Sequence, residues 1–259
     1  MTIIDIAGEP FNVRMDGPKD APVLMLSNSL SSNMSMWDAQ VRAWQSHFCI
    51  LRYDSRGHGA SVAPDRPYSI AELGRDAVAI LDHFGIAKAH WCGVSKGGMV
   101  GMWLMTHAPE RLGRVVLANT SAHMGPPELW NGRIRTARRA GMAALADATV
   151  ERWFTTGFRE RAPQTIAAMH EMIVTTPAHG YAGCCAAIRD MDQRWEIRAA
   201  KNPLLVVVGA HDPATPLAAG RQIHEAIAGS SLVILEAAHI SNVEAEAAFN
   251  QVAGDFLRG

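Results

Sequence analysis

Short, unbroken apolar runs recur along the chain, and between most of them the apolar residues return every three or four positions. The runs at 22–26, 48–53, 89–92, 114–119, 203–208 and 232–235 read as strands, and the continuous run at 22–26 is what a strand covered on both faces shows. Residues 3–15 read as a hairpin of two edge strands turned around Gly8-Glu9-Pro10. A helix carrying Trp37, Val41 and Trp44 follows the first run. Ile70, Leu73, Ala77, Ile80, Leu81 and Phe84 give another helix one buried face. Ser69-x-x-Glu72 opens that helix as a capping box, and Gly85 closes it. Met99, Met102, Trp103 and Met105 predict a helix ending before Pro109, and two more are expected near 217–227 and 243–257. Strands alternating with helices imply right-handed crossovers and a mainly parallel sheet, eight strands once the hairpin is included.

Residues 121–198 break this rhythm. They are richer in Arg, Met and Trp (Trp130, Trp153, Trp195) and offer no convincing strand. The expected organisation is therefore a core of 1–120 and 199–259 with a helical cap, 121–198, inserted between two strands of the sheet. No internal repeat or low-complexity linker intervenes.

Composition narrows the partners. A formal charge of −1 over 259 residues gives no reason to expect nucleic acid or an anionic membrane. The four cysteines (Cys49, Cys92, Cys184, Cys185) have no metal-binding spacing and read as reduced thiols. Met1-Thr2-Ile3-Ile4-Asp5 lacks the basic region and apolar run of a signal peptide, and no apolar stretch reaches the roughly 18 residues of a membrane span. A cytoplasmic protein acting on a small molecule, without metal or cofactor, is the expectation; the oligomeric state stays open.

Candidate chemistry centres on Gly93-x-Ser95-x-Gly97, at the junction of a predicted strand and helix. This is the nucleophile-elbow pattern, in which a tight turn lifts a serine hydroxyl above the sheet. Such a serine needs a base, and the base an orienting acid, expected in that chain order at the ends of later strands. Asp212 follows the 203–208 strand and His239 the 232–235 strand, both where sites of open α/β sheets gather. Asp212 before Pro213 also suits an ordinary turn, His211 competes as base, and His239 also suits a helix cap or a packed core. The oxyanion hole needs two N–H groups: those of Lys96, next after the nucleophile, and Leu30, in the 27–33 loop. Asp54-x-Arg56-Gly57-x-Gly59 has the look of a phosphate loop but no Lys-Ser/Thr ending, and reads instead as a turn whose Arg56 ties neighbouring loops. The remaining histidines read as surface or packing residues.

With these residues assembled, the chain resembles the α/β-hydrolases, and more narrowly the 3-oxoadipate enol-lactonases of the β-ketoadipate branch of aromatic catabolism. The resemblance rests on Leu26-Ser27-Asn28-Ser29-Leu30, Met36-Trp37-Asp38, Leu51-Arg52-Tyr53-Asp54 with Arg56-Gly57-His58-Gly59, Arg152-Trp153-Phe154-Thr155, Gly180-Tyr181-Ala182-Gly183-Cys184 and His239-Ile240-Ser241-Asn242-Val243-Glu244. It implies an α/β-hydrolase fold with helices on both faces of a mostly parallel sheet and a helical cap. It also carries Ser95, Asp212 and His239 over as the triad, and Leu30 and Lys96 as oxyanion donors. Two positions depart from the subgroup's pattern: Lys96 stands where Met or Ile is usual, and Ser31-Ser32 where Gly-Thr is usual.

The implied activity is cofactor-free hydrolysis of a small carboxylate-bearing enol-lactone through an acyl-enzyme. Hydrolysis of another lactone or ester, cleavage of a β-diketone carbon–carbon bond, and a catalytically weak small-molecule binder of the same fold are the alternatives. The substrate carboxylate needs a cationic partner once water is excluded. Arg133 and Lys96 are the candidates, with Trp130 and Trp153 walling the pocket. Lys96 also suits a lysine reaching solvent from its helix, and Arg133 a surface position beside Arg135, Arg138 and Arg139.

Overall fold

The computed structural model describes residues 2–259. Its first elements are β1 (Thr2–Ile6) and β2 (Glu9–Asp16), paired antiparallel. The turn is Ala7-Gly8, with φ of 54° and 86°, and so lies before the expected position. A two-residue hairpin turn of this kind requires positive φ at both central residues. Pro10, whose ring fixes φ negative, cannot serve there and instead pairs with Asp5 inside the ladder. Of the two hairpin strands only β1 lies at an edge of the sheet, because β2 also pairs with β4.

The sheet continues with β3 (Val23–Ser27), β4 (Cys49–Tyr53), β5 (Ala89–Val94), β6 (Leu112–Ala118), β7 (Leu204–Gly209) and β8 (Ser231–Leu235). The eight strands run in the order β1-β2-β4-β3-β5-β6-β7-β8, and every pair from β4 to β8 is parallel. The runs that form β3, β4, β6 and β7 are almost wholly buried, which is why their sequences do not alternate.

Helices cover both faces. α1 (Asp38–Trp44), α2 (Ile70–His83) and α3 (Lys96–His107) lie in the first half of the chain. At α2 the Ser69 hydroxyl accepts from the Glu72 N–H as expected of its cap, while the Glu72 carboxylate goes to Arg66 rather than back to Ser69. α9 (Leu217–Ala226) follows β7. The closing stretch is not one helix: it breaks at Ala245 into α10 (Ser241–Glu244) and α11 (Glu246–Arg258). Trp44 of α1 stacks on Phe249 of α11 with ring centroids 6.3 Å apart, both rings buried. Burial of side chains this size is worth about 2–3 kcal/mol each.

Between β6 and β7 the chain forms α4 (Pro127–Ala140), α5 (Ala143–Trp153), α6 (Thr156–Arg161), α7 (Pro163–Val174) and α8 (Ala178–Asp190). α8 packs against α4 and meets the β4–α2 loop backbone to backbone. A methyl group on Gly180 would lie 2.4 Å from the Gly57 carbonyl oxygen, so only glycine permits this docking. The five helices thus roof the carboxyl edge of the sheet, where the loops after β3, β5, β6, β7 and β8 converge.

Candidate active site

The elbow is strained, and its neighbours explain why it holds. Ser95 has φ 56° and ψ −113°, a region that costs a non-glycine residue on the order of 1–3 kcal/mol. A Cβ on Gly93 would lie 2.2 Å from the Gly97 carbonyl oxygen, and one on Gly97 would lie 2.1 Å from that of Ser27. Both glycines are therefore demanded by the turn that carries Ser95 from β5 into α3. The Ser95 N–H donates to Ala118 O of β6 at 2.9 Å, fixing the turn to the sheet.

The structure brings the three sequence-predicted residues together. His239 Nε2 lies 2.9 Å from Ser95 Oγ, and His239 Nδ1 lies 2.8 Å from Asp212 Oδ2. His211 is not near: its imidazole is exposed and pairs with Glu236 at 3.0 Å. Asp212 is surrounded by donors. Its Oδ1 accepts from the Ala214 and Thr215 N–H groups at 2.8 and 2.9 Å. Its Oδ2 accepts from the Thr215 hydroxyl at 2.6 Å and from Asn119 Nδ2 at 3.0 Å, besides His239. Burial alone would raise this carboxyl's pKa. His239 and the Thr215 hydrogen bonds outweigh it and hold the group down to about 2, so it stands ready as an anion to orient the imidazole.

The loop after β3 is polar yet buried from Asn28 to Ser32, and its side chains are committed to holding its shape. Asn28 donates to Tyr53 O at 2.9 Å and accepts from Trp37 Nε1 at 3.0 Å, while the Ser32 hydroxyl donates to Ser29 O at 2.9 Å. Leu30 lines the same cavity as Ser95 and His239. Lys96 is the first residue of α3, so its N–H belongs to the unpaired set at a helix start.

That cavity measures about 370 Å³ and lies between the sheet's carboxyl edge and the roof. Trp130, Arg133 and Trp153 all line it, as do Thr149, Arg152 and Tyr181, which the sequence reading left unassigned. A larger open groove of about 640 Å³ occurs at the opposite, amino end of the strands, around Pro22, Lys88 and Pro203. No triad residue borders it, so the smaller, enclosed cavity is the one with chemistry in it.

The charge in the cavity is one-sided. The Arg133 guanidinium lies 4.7 Å from the centre of the Trp130 ring. Arg152 Nη2 donates to the Thr149 hydroxyl at 2.9 Å. Roof arginines 138, 159 and 189 pair with Asp65, Glu151 and Asp190, but among the described residues no carboxylate pairs with Arg133 or Arg152. Burial, and then the Arg133 charge, pull the Arg152 pKa down from its ordinary value. Two half-buried cations facing one cavity with no carboxylate paired to either are an anion-binding arrangement.

Lys96 is a correction. Its side chain does not enter the cavity: it is buried on the other side of the elbow and donates to the Ser55 hydroxyl. The cause is the elbow itself, which points Ser95 at the cavity and sends the next side chain beneath the loop after β4. Arg56 ties its own loop not to neighbouring loops but to α2 and β2, through bidentate contact with Asp76 at 2.8 Å and contact with Glu9. Among the described residues no cluster of His, Cys, Asp or Glu is placed to hold a metal ion.

Three residues escaped the sequence reading in instructive ways. Asn119 follows the last residue of β6, at the sheet edge where site residues gather, though its sequence reads as the end of the strand. Thr215 sits three residues after Asp212, the spacing at which a hydroxyl reaches back to a turn carboxylate. Glu244 is buried and accepts from the Ala238 N–H at 2.8 Å and from the N–H and hydroxyl of Thr155. It stands in a quoted stretch, but nothing local marks a buried carboxylate that lacks a cation.

Comparison with known proteins agrees with this geometry. Residues 22–246 match the family model described as the alpha/beta hydrolase fold. The chain is 42% identical over 250 residues to 3-oxoadipate enol-lactonase 2 of Acinetobacter baylyi, covering 96% of this chain and 92% of that one. It is 32% identical to 3-oxoadipate enol-lactonase 1 of the same organism, covering 97% and 94%. Among solved structures, the enol-lactonase from Burkholderia xenovorans LB400 superposes with a TM-score of 0.98 at 44% identity, covering both chains in full.

Proposed function

The chain belongs to the α/β-hydrolase fold family, and from that premise we propose that it opens 3-oxoadipate enol-lactone to 3-oxoadipate. The observation that carries this reading is the pairing of Ser95, His239 and Asp212 at hydrogen-bond distance with two anion-seeking arginines in one small cavity. A lactone with a free carboxylate suits both halves of that site.

In this reading His239 takes the proton from Ser95 as the hydroxyl oxygen attacks the lactone carbonyl, and Asp212 stabilises the imidazolium that forms. The backbone N–H groups of Leu30 and Lys96 receive the negative charge that develops on the carbonyl oxygen. The ring carbon–oxygen bond then breaks, the electron pair leaves on the enolate oxygen, and His239 returns its proton there. The enol becomes the ketone, leaving an acyl group on Ser95. Water, deprotonated by the now neutral His239, attacks that acyl group; the bond from the acyl carbon to Ser95 Oγ breaks, His239 gives its proton back to Oγ, and the second carboxylate is freed. Arg152, with Arg133, holds the substrate's own carboxylate, and Trp130 and Trp153 wall the ring. No metal or cofactor takes part.

Residues 121–198 act as the cap of this site over a core of 1–120 and 199–259. The four cysteines are free and buried, and no helix among the described residues is long and apolar enough to cross a membrane. Free thiols suit a cytoplasmic enzyme of aromatic catabolism.

The test is kcat/KM on 3-oxoadipate enol-lactone beside a neutral aryl ester of similar size. The anionic lactone is expected to exceed the ester by at least about 100-fold, the worth of one or two charge-assisted contacts. Equal values would make the protein a general esterase.

A further inference from the structure

We propose that His58 is a positioning residue for the oxyanion hole, holding through the Ser31 N–H the loop that presents the Leu30 N–H. The inference rests on the serine-hydrolase reading above and adds to it a residue outside the cavity.

Ser31 has φ 67°, in the left-handed region that a residue with a Cβ enters only under outside constraint. It is also buried, so its N–H must find a partner or cost about 1–3 kcal/mol. The partner is His58 Nε2, at 2.9 Å. His58 has no exposed surface, and its other ring nitrogen, Nδ1, lies 3.2 Å from Arg56 O. A carbonyl oxygen can only accept, so Nδ1 carries the hydrogen and Nε2 is bare. One protonation state alone meets both contacts: the neutral ring with hydrogen on Nδ1. An imidazolium would turn Nε2 into a second donor facing the Ser31 N–H and release the loop.

Two features keep the ring in that state and in that place. Burial and, next, the nearby Lys96 side chain pull the His58 pKa well below its ordinary value. The backbone carbonyl that accepts from Nδ1 belongs to Arg56, whose guanidinium is clamped by Asp76 and Glu9. Cys184 of α8 lies 3.9 Å from Nδ1 and closes the space beneath. Lys96 thereby acquires a use for the side chain that the cavity does not see.

The consequence is specific. A donor aimed at an oxyanion stabilises the transition state more than the ground state, so its misplacement lowers kcat and leaves KM nearly unchanged. The experiment compares the intact protein with His58→Met, which removes the acceptor, and His58→Gln, whose side-chain oxygen reaches the Nε2 position. Turnover of an ester that is abolished by Ser95→Ala in the same assay establishes the parent reading first; no such turnover would sink that reading rather than this one. His58→Met is expected to lower kcat by about 100-fold with KM within about threefold. Its affinity for an arylboronic acid, which forms a tetrahedral anion on the serine, is expected to fall by a similar factor. His58→Gln is expected to recover most of both. A kcat in His58→Met within threefold of the parent, or His58→Gln as impaired as His58→Met, would overturn the proposal. Nitrogen-15 spectra of the unsubstituted protein at neutral pH give a readout that needs no variant to fold: they are expected to show His58 protonated on Nδ1 only, and a ring protonated on Nε2 overturns the proposal outright.

Discussion

Ser95 and Lys96 are adjacent in sequence yet face opposite sides of one turn, and most of the site's residue-level chemistry follows from that. Ser95→Ala is expected to lower kcat by several orders of magnitude while a thermal melt stays within a few degrees of the parent. The hydroxyl contributes one hydrogen bond at a cavity wall, and relief of the strained φ does not depend on it. Full activity in that variant would remove Ser95 from the mechanism. Lys96→Met retains the backbone N–H and loses only a buried amine that lies outside the cavity, so KM for the anionic lactone is expected to stay within about twofold. Arg152→Met is expected to raise KM for that lactone about 10- to 100-fold and to leave the neutral ester nearly unaffected. Parallel Michaelis–Menten series on the two substrates check both. The triad was legible in the sequence because each member stands at a strand end, fixed by topology. Which way Lys96 points was not, since direction at an elbow depends on a backbone angle that composition does not reveal. Arg152 was hidden for a related reason: only helix packing in the roof decides which of many arginines face inward.

At the scale of elements, the base is held by a link between the roof and the last helices. Ala238 and Ile240 flank His239 in the chain. Ala238 N–H donates to Glu244 at 2.8 Å, and Ile240 N–H donates to Trp153 O at 3.1 Å. Glu244, at the end of α10, also receives the N–H and hydroxyl of Thr155, next to the residues that wall the cavity. A carboxylate suits this place because every neighbour donates; an amide has only one accepting oxygen. Glu244→Gln is therefore expected to strand at least one buried donor and cost about 1–3 kcal/mol, seen as a lower melting temperature. It is also expected to reduce kcat on the lactone and the neutral ester by the same factor, because it disturbs the base rather than the carboxylate site. A loss confined to the lactone would place Glu244 in substrate recognition instead. The strands were readable from their apolar runs and the α2 boundary from its cap. The break at Ala245 was not, because Glu244-Ala245-Glu246-Ala247-Ala248 around it has good helix propensity.

For the whole molecule, the carboxylates decide how stability depends on acid. Asp212 is held down to about 2, and Glu9 lies below its ordinary value chiefly through its hydrogen bond from Arg56. A group whose pKa is depressed by folding lends stability that is complete above its unfolded value, about 3.9 for an aspartate, and is lost as pH falls through the folded value. Asp76 runs the other way: burial lifts it despite Arg56, so its ionisation works against the fold as pH rises. Asp212 is the most strongly shifted of the three and lies between two strand ends that the fold must bring together, β7 and β8. The parent protein is therefore expected to lose stability steadily from about pH 5 to about pH 2.5. In Asp212→Asn that slope is expected to flatten, because the variant has no proton to bind at this site. The variant is less stable at neutral pH, having lost the carboxylate that accepts from His239, Thr215, Ala214 and Asn119, so the two curves converge as pH falls. Urea unfolding of both proteins at several pH values measures the gap directly. A gap that stays constant across the range would mean that the Asp212 carboxyl titrates alike in the folded and unfolded chains, and that its five donors orient the imidazole without holding the sheet edge together.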